Sequence, residues 1–481
     1  MRSPRPFEDD VSANARTAVR GLAAAGLLAA AVLATGACGK PKLSLGRPDV
    51  LLVVVDTLRN DEMPWMGADE RVAPNLGRLA REGIVFPKVY APSPWTKPST
   101  ATILTGLHPL RHGLNGHRER LDPSIETLAE SFQSHGYATS AVVANPSLYD
   151  EGYRQGFDAF RQAGEIHKWI VHSTDRVAVL AREALQEAPR DRPLFLYVHF
   201  LDPHDLYVPP QQDRFLLPQG PVPTDQRILG GDMRHFEGDT PVWEPTSADF
   251  SPTPVPLAAP DLAYMRGLYR GEIHAADREL AGIVAAQEKL RGNAVLVVVT
   301  ADHGEEFYEH GMPRHGWTLH EEALRVPLLL HGAGLALRSL DPARIARCED
   351  IAPTLLDLAG VEPGDRDGVS LARPAPAGGV TVVGLTRYHV QKESYVIEGG
   401  WKLIIDERFG RHELYDLAAD PSERMNLAAG QPERVVALLH RQQELRDGLI
   451  ARKYHTGTLV GEESRRNEEA LKSLGYIGGG N

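Results

Sequence analysis

Three stretches, residues 50–55, 194–200 and 294–299, are apolar almost without a break. A strand exposed on one face alternates apolar and polar side chains, so runs of this kind fit strands buried on both faces. Between them, segments 123–134, 171–187 and 261–290 carry the amphipathic spacing of helices. The first has Pro123 in its opening turn and Gly136 just past its end. Strands alternating with helices predict an α/β fold, a largely parallel, doubly wound sheet. Near residue 379 the texture changes to short β-prone runs at 380–384, 394–398, 401–405 and 413–415. Gly399-Gly400 stands where a hairpin turns, and a helix is predicted over 433–451. The division expected is a catalytic domain over 49–375 and a small α+β subdomain with an antiparallel sheet over 376–481. Residues 208–260, rich in Pro, Gly and Asp and without a period, are too long for an ordinary connection. They read as a lid-like insertion or a surface loop.

Each apolar run leads into residues able to bind a metal or a substrate. Asp56 follows Val55, Asp202-Pro203-His204 follows Phe200 and Leu201, and Asp302-His303 lies just beyond Val299. Ligand sites in open parallel sheets form at the carboxyl ends of strands, so the three ends are expected to converge. Asp56 alone reads equally well as a helix N-cap. A second signal is Trp95-Thr96-Lys97-Pro98, where Pro98 suits the first turn of a helix. Thr96 then sits at the positive end of that helix, where an alkoxide is favoured; a plain Thr cap is the alternative.

These motifs come in a fixed order: Val55 to Arg59, Thr96 to Gly106, His199 to His204, Thr300 to Glu305, His315-Gly316, Asp350 to Asp357, Leu414 to Leu417 and Asp420-Pro421. In that order they resemble the sulfatase family of the alkaline-phosphatase superfamily, from Asp49 nearly to the C-terminus. The resemblance implies an alkaline-phosphatase-like α/β sandwich with a small C-terminal sheet domain. It implies that Asp56, Asp302 and His303 ligate a divalent metal and that Thr96, as nucleophile, touches the same ion. His315, twelve residues after His303, resembles the leaving-group or substrate histidine; it or His204, protonated near its ordinary pKa, is expected to assist departure of the leaving oxygen. His204 would be a second substrate-facing histidine. Arg59 and Lys97 are candidates to hold anionic oxygens, with a surface or supporting role as the alternative. Asp202 is a further substrate-binding candidate and, with His204, a candidate ligand of a second ion.

The chain departs from that family in a consistent way. Formylglycine is made from Cys or Ser in Cys/Ser-x-Pro-x-Arg, and the corresponding residues here are Thr96, Pro98 and Thr100. Oxidation at the Cβ of threonine would give a ketone, not an aldehyde. The Gly-Lys-Trp-His signature expected after Gly136-Tyr137 is replaced by Ala138 to Asn145, and the first strand ends in Asp56-Thr57 where two aspartates are common. An unmodified Thr resembles the phosphodiesterase, nucleotide pyrophosphatase and phosphoethanolamine-transferase branches. A His, two carboxylates and a hydroxyl suit Zn or Mn better than Ca, which takes six to eight oxygens. One ion is expected, with a second as the alternative.

The function expected is metal-dependent hydrolysis of phosphate or phosphonate (or sulfate) esters by a metal-activated Thr nucleophile. Alternatives are a sulfuric ester hydrolase of the arylsulfatase type, a phosphoethanolamine-type transferase, and a non-catalytic binding pseudoenzyme, which predicts a broken ligand set. A net charge of −12 argues against a nucleic-acid partner and leaves a small-molecule, glycan or lipid ester as substrate. Residues 1–38 resemble a signal peptide: Arg16 and Arg20, an apolar segment 22–33, then Ala34 to Gly39 with a lipobox-like Cys38. Leu would be preferred at Thr35. The expectation is export to the cell envelope and a lipid anchor on Cys38, at the periplasmic or surface side, after which 39–48 form a linker. Plain cleavage and secretion, or retention of the segment as an anchor, are the alternatives. Cys348 is then alone and expected to be a buried, inert thiol.

Overall fold

The computed structural model describes residues 46–164, 173–219, 233–237, 240–243, 258–292, 294–332, 337, 340–388 and 391–473. The signal-peptide segment with Cys38 and most of the 208–260 insertion lie outside the described residues.

Seven strands form the central sheet: β1 (Asp49–Val55), β2 (Ile84–Val85), β3 (Ala138–Val143), β4 (Ala159–Gln162), β5 (Leu194–Phe200), β6 (Val295–Thr300) and β7 (Leu328–His331). Their order is β2-β7-β6-β1-β5-β3-β4. The five strands from β6 to β4 are mutually parallel, while β7 runs antiparallel to both β6 and β2. Every residue of β3, β5 and β6 is buried, which is why those runs show no polar alternation. The main helices of this part are α1 (Pro74–Glu82), α2 (Thr96–Thr105), α3 (Leu128–Ser134), α4 (Ser173–Glu187), α5 (Ala259–Arg291) and α6 (Ile351–Leu358). α4 and α5 pack on each other and against β5 and β6, whereas α2, α3 and α6 pack together with α3 against β3.

Helix α3 starts at Leu128, five residues later than the Pro123 expected. A capping box decides it: Glu130 N–H donates to Thr127 Oγ1 at 3.1 Å, and Thr127 N–H donates to Glu130 Oε2 at 2.9 Å. Ser124 N–H is meanwhile taken by Asp122 Oδ1 in a local turn.

The C-terminal part is a four-stranded antiparallel sheet in consecutive order: β8 (Val382–Thr386), β9 (Glu393–Glu398), β10 (Trp401–Asp406) and β11 (Arg411–Asp416). Gly399 and Gly400, at φ 60° and 84°, make the two-residue turn between β9 and β10. Val396, Leu403 and Leu414 pack with Val435 and Leu438 of α7 (Pro432–Ile450). On the other face Tyr395, Ile397, Ile404 and Tyr415 join Tyr90, Leu319 and Leu324 of the catalytic part. A last helix, α8 (Gly461–Ser473), was not anticipated. Cys348 is buried, and burial raises its thiol pKa, as expected of an inert cysteine.

Register positions the site. Val53 lies opposite Val299 on one side and Val198 on the other, and Val143 lies opposite His199. The four central parallel strands therefore end level, and the residues just past them meet at one rim.

Candidate active site

Asp56, at the end of β1, and Asp302-His303, just past β6, come together there with no exposed surface. Their ligand atoms lie within 4.8 Å of one another. His303 Nε2 is 3.5 Å from both Asp56 Oδ1 and Asp302 Oδ2. His303 Nδ1–H donates to Gly304 O at 2.9 Å, which leaves the Nε2 lone pair directed at the carboxylates. Asp302 Oδ1 accepts from its neighbour His303 N–H at 2.9 Å. Asp56 Oδ2 accepts from Asn145 Nδ2–H at 2.7 Å. The other oxygens, Asp56 Oδ1 and Asp302 Oδ2, are buried without a hydrogen-bond partner. Two orphaned carboxylate oxygens facing an imidazole lone pair are the donor set of a divalent cation. Burial, and then the Asp302 carboxylate, push Asp56 well above the usual carboxylate range, a repulsion a cation would relieve.

Thr96 comes from a separate element, the start of α2. It is the first residue of the helix, Trp95 being the cap, so it is not a plain N-cap. Its Oγ1 lies 3.3 Å from His303 Nε2. The hydroxyl thus reaches the ligand cluster while the helix start supplies a positive end.

His315 and His204 adjoin this group. The ring of His315 lies 4.6 Å from that of His303 and 4.8 Å from that of His204, between centroids. His315 Nδ1–H donates to Glu305 Oε1 at 3.0 Å, and His204 Nδ1–H to Asp205 O at 2.6 Å. Burial, and then His303 and His204, push His315 well below its ordinary pKa. The ring is therefore neutral at rest, not protonated as the sequence reading expected. His204, Asp205 and His315 form a second group of cation-ligand type.

The structure does not bring the other candidates into this cluster. Lys97 is fully buried, and its Nζ donates to His117 O and Glu119 O, both at 3.2 Å, and pairs with Asp150 at 3.4 Å. Arg59 is held by Asp61 and Glu309, both at 2.6 Å, and by Glu305 O at 2.9 Å. Two carboxylates thus neutralise the guanidinium proposed for anionic oxygens. Asp202 Oδ2 accepts from Thr174 N–H at 2.9 Å and from the Thr174 and Ser173 hydroxyls, fixing the start of α4. The carboxylate beside His204 is Asp205, three residues on. Asn145, Asp205 and Glu305 escaped the sequence reading. For Asn145 the available signal was its place past the run 138–143, equivalent to that of Asp56 past β1.

A family model described as Sulfatase matches residues 48–361. The chain belongs to the sulfatase family. This member of it is 26% identical over 456 residues to the choline-sulfatase of Rhizobium meliloti, an alignment spanning 80% of this chain and 83% of that one. It is 23% identical over 442 residues to an arylsulfatase of Clostridium perfringens, spanning 79% and 90%. Its fold matches the crystal structure of a phosphonate monoester hydrolase of Agrobacterium radiobacter with a TM-score of 0.65 at 21% identity, covering 84% of this chain and 96% of the other. A sulfatase-type ester hydrolase with a mixed, largely parallel sheet and a C-terminal antiparallel sheet follows. Sulfatase-family enzymes bind a divalent metal, and Asp56, Asp302 and His303 are fitted to hold it.

Proposed function

We propose that this sulfatase-family protein hydrolyses phosphate or phosphonate esters through an unmodified Thr96 nucleophile. The observation that carries the reading is the 3.3 Å approach of Thr96 Oγ1 to His303 Nε2, inside the Asp56/Asp302/His303 cluster and at a helix start. A divalent ion of the Zn or Mn kind, which Asp56, Asp302 and His303 would hold, would supply Lewis acidity that lowers the pKa of the Thr96 hydroxyl. Thr96 Oγ attacks phosphorus in line with the leaving oxygen, forming a Thr96 phosphoester and expelling the alcohol. His204 is assigned as the donor of the proton that the leaving oxygen takes up, and is recharged from the adjoining His315 after the second step. His315, neutral and fixed by Glu305, accepts a proton at Nε2 from the water that then hydrolyses the Thr96 ester. The phosphonate monoester hydrolase among its structural neighbours is consistent with this substrate class.

A sulfate ester is the second reading, favoured by the choline-sulfatase and arylsulfatase relatives. The deciding assay compares nitrophenyl phosphodiester, phosphonate monoester and sulfate on zinc- or manganese-loaded protein, with Thr96→Ala as control. Dominant phosphodiester or phosphonate turnover that vanishes in Thr96→Ala, with metal content kept, supports the Thr mechanism. Dominant sulfate turnover, or an active Thr96→Ala, overturns it.

The proposed place of work is the cell envelope, by export and acylation at Cys38. Cys38→Ser should move the protein from the membrane fraction to the soluble one; unchanged fractionation refutes the anchor.

A further inference from the structure

The segment from His310 to His320 carries His315, and its two ends meet. The rings of His310 and His320 stack face to face with centroids 3.6 Å apart and planes 4° from parallel. His310 Nδ1 lies 2.6 Å from Glu322 Oε1, and its Nε2 lies 3.2 Å from the backbone oxygen of Glu423. His320 is 7% exposed, yet neither of its ring nitrogens makes a well-aligned hydrogen bond among the described residues. Its Nε2 is 3.3 Å from Glu413 Oε2 of β11, within ion-pair reach, and His320 lowers the pKa of that carboxyl. A buried imidazole with an unsatisfied Nδ1, and with Nε2 met by a single off-angle carboxylate, is costly unless something else binds there.

We propose that His310, His320 and Glu322 form a second divalent-cation site, separate from the Asp56/Asp302/His303 cluster, with Glu413 as fourth donor. The first three offer ligand atoms within 4.8 Å of one another. Two imidazoles and one or two carboxylates are a donor set for Zn²⁺ or a similar first-row ion, not for Ca²⁺. Coordination would displace the proton that His310 Nδ1 shares with Glu322, keep Nε2–H on the Glu423 backbone oxygen, and tilt the His320 ring about its soft χ2 torsion to bring it to the same ion. The His310 side chain is 14% exposed and leaves an approach from solvent. The ligands come from both ends of the His315 segment and from the C-terminal sheet. Such an ion therefore clamps the segment carrying His315 at its base, on the seam between the two parts of the fold. The inference rests on this cluster alone and holds whichever ester the active site cleaves.

The test is zinc stoichiometry of purified, chelator-stripped protein reloaded with Zn²⁺, desalted and measured by mass spectrometry of the metal. Wild type should hold two ions per chain, and Asp56→Asn/Asp302→Asn one. His320→Gln should also hold one, with the active-site ion kept. Equal counts in wild type and a folded His320→Gln overturn the proposal. If His320→Gln does not fold, Asp56→Asn/Asp302→Asn decides. It must keep one ion, also when His204→Gln is added, and zinc must slow amide exchange over residues 318–322 by about tenfold or more; absence of either overturns the site.

Discussion

Asn145 reaches across the end of β5 to hold Asp56: its amide Nδ2–H donates to Asp56 Oδ2 over 2.7 Å, although β3 and β1 are not neighbours in the sheet. Both groups are fully buried. One carboxylate oxygen is thereby fixed and the other is turned toward His303. Asn145→Ala should keep the fold and lower metal affinity by about 10–100-fold, as loss of an outer hydrogen bond to a ligand does. Competition against a chromophoric chelator measures it, and an unchanged affinity refutes the orienting role.

Lys97 follows Thr96 in sequence but serves the interior. Its ion pair with Asp150 is sealed from solvent, and burial pushes Asp150 up against the lowering effect of Lys97. Lys97→Met should cost about 3–5 kcal/mol in urea unfolding, because it strands a buried carboxylate. Lys97→Met/Asp150→Asn should recover a large part of that loss, since Asn can still accept from Gly152 N–H as Asp150 does. A raised KM at unchanged stability would instead make Lys97 a substrate ligand.

How far the sequence could be read depends on what each residue's role requires. Period and run length report burial, so residues 50–55 and 294–299 could be recognised as interior strands, and level strand ends then put Asp56 beside Asp302. Long side chains carry no such report. Nothing in the order of residues says that Lys97 turns inward to Asp150 or that Arg59 is neutralised by Asp61 and Glu309. Asp202 and Asp205 flank one strand end, and only the fold shows which of them caps α4. The start of α3 was misplaced because Pro123 was given more weight than the Thr127/Glu130 capping box. Asn145 carries no charge and looked like a missing signature, yet its position past β3 is what gives it a role.

His112 provides a pH test. Leu114 N–H donates to its Nδ1 at 3.1 Å, so the proton sits on Nε2, 3.1 Å from Thr102 Oγ1. Burial, then neighbouring His108, lowers its pKa to about 3. An unfolded histidine titrates near about 6.5. Between these values the unfolded chain binds a proton that the folded one does not. Its contribution to stability is complete above pH 6.5 and is lost as pH falls toward 3. In His112→Gln the slope of unfolding free energy between pH 6 and pH 4 should be shallower by about 1.4 kcal/mol per pH unit. An unchanged slope means the native ring is protonated in that window.

Gly304 follows His303 directly, and a Cβ there would run into the Glu322 carbonyl oxygen. Gly304→Ala must displace the backbone that accepts from His303 Nδ1–H. A shift of about 1 Å at a reacting group costs on the order of 100-fold in rate. Turnover should fall by at least about that factor while circular dichroism stays unchanged; near-normal turnover would show that the chain around Glu322 yields instead.

The separate elements from which the site is assembled have a further consequence. Asp56, Asp302 and His303 hang from adjacent strands locked in register, whereas residue 96 arrives on a separate helix. On the proposed function, holding the ion and attacking the ester fall to independent parts of the scaffold. If Thr96 is the nucleophile, an exchange at position 96 changes the attacking group and leaves the three residues that would hold the ion in place.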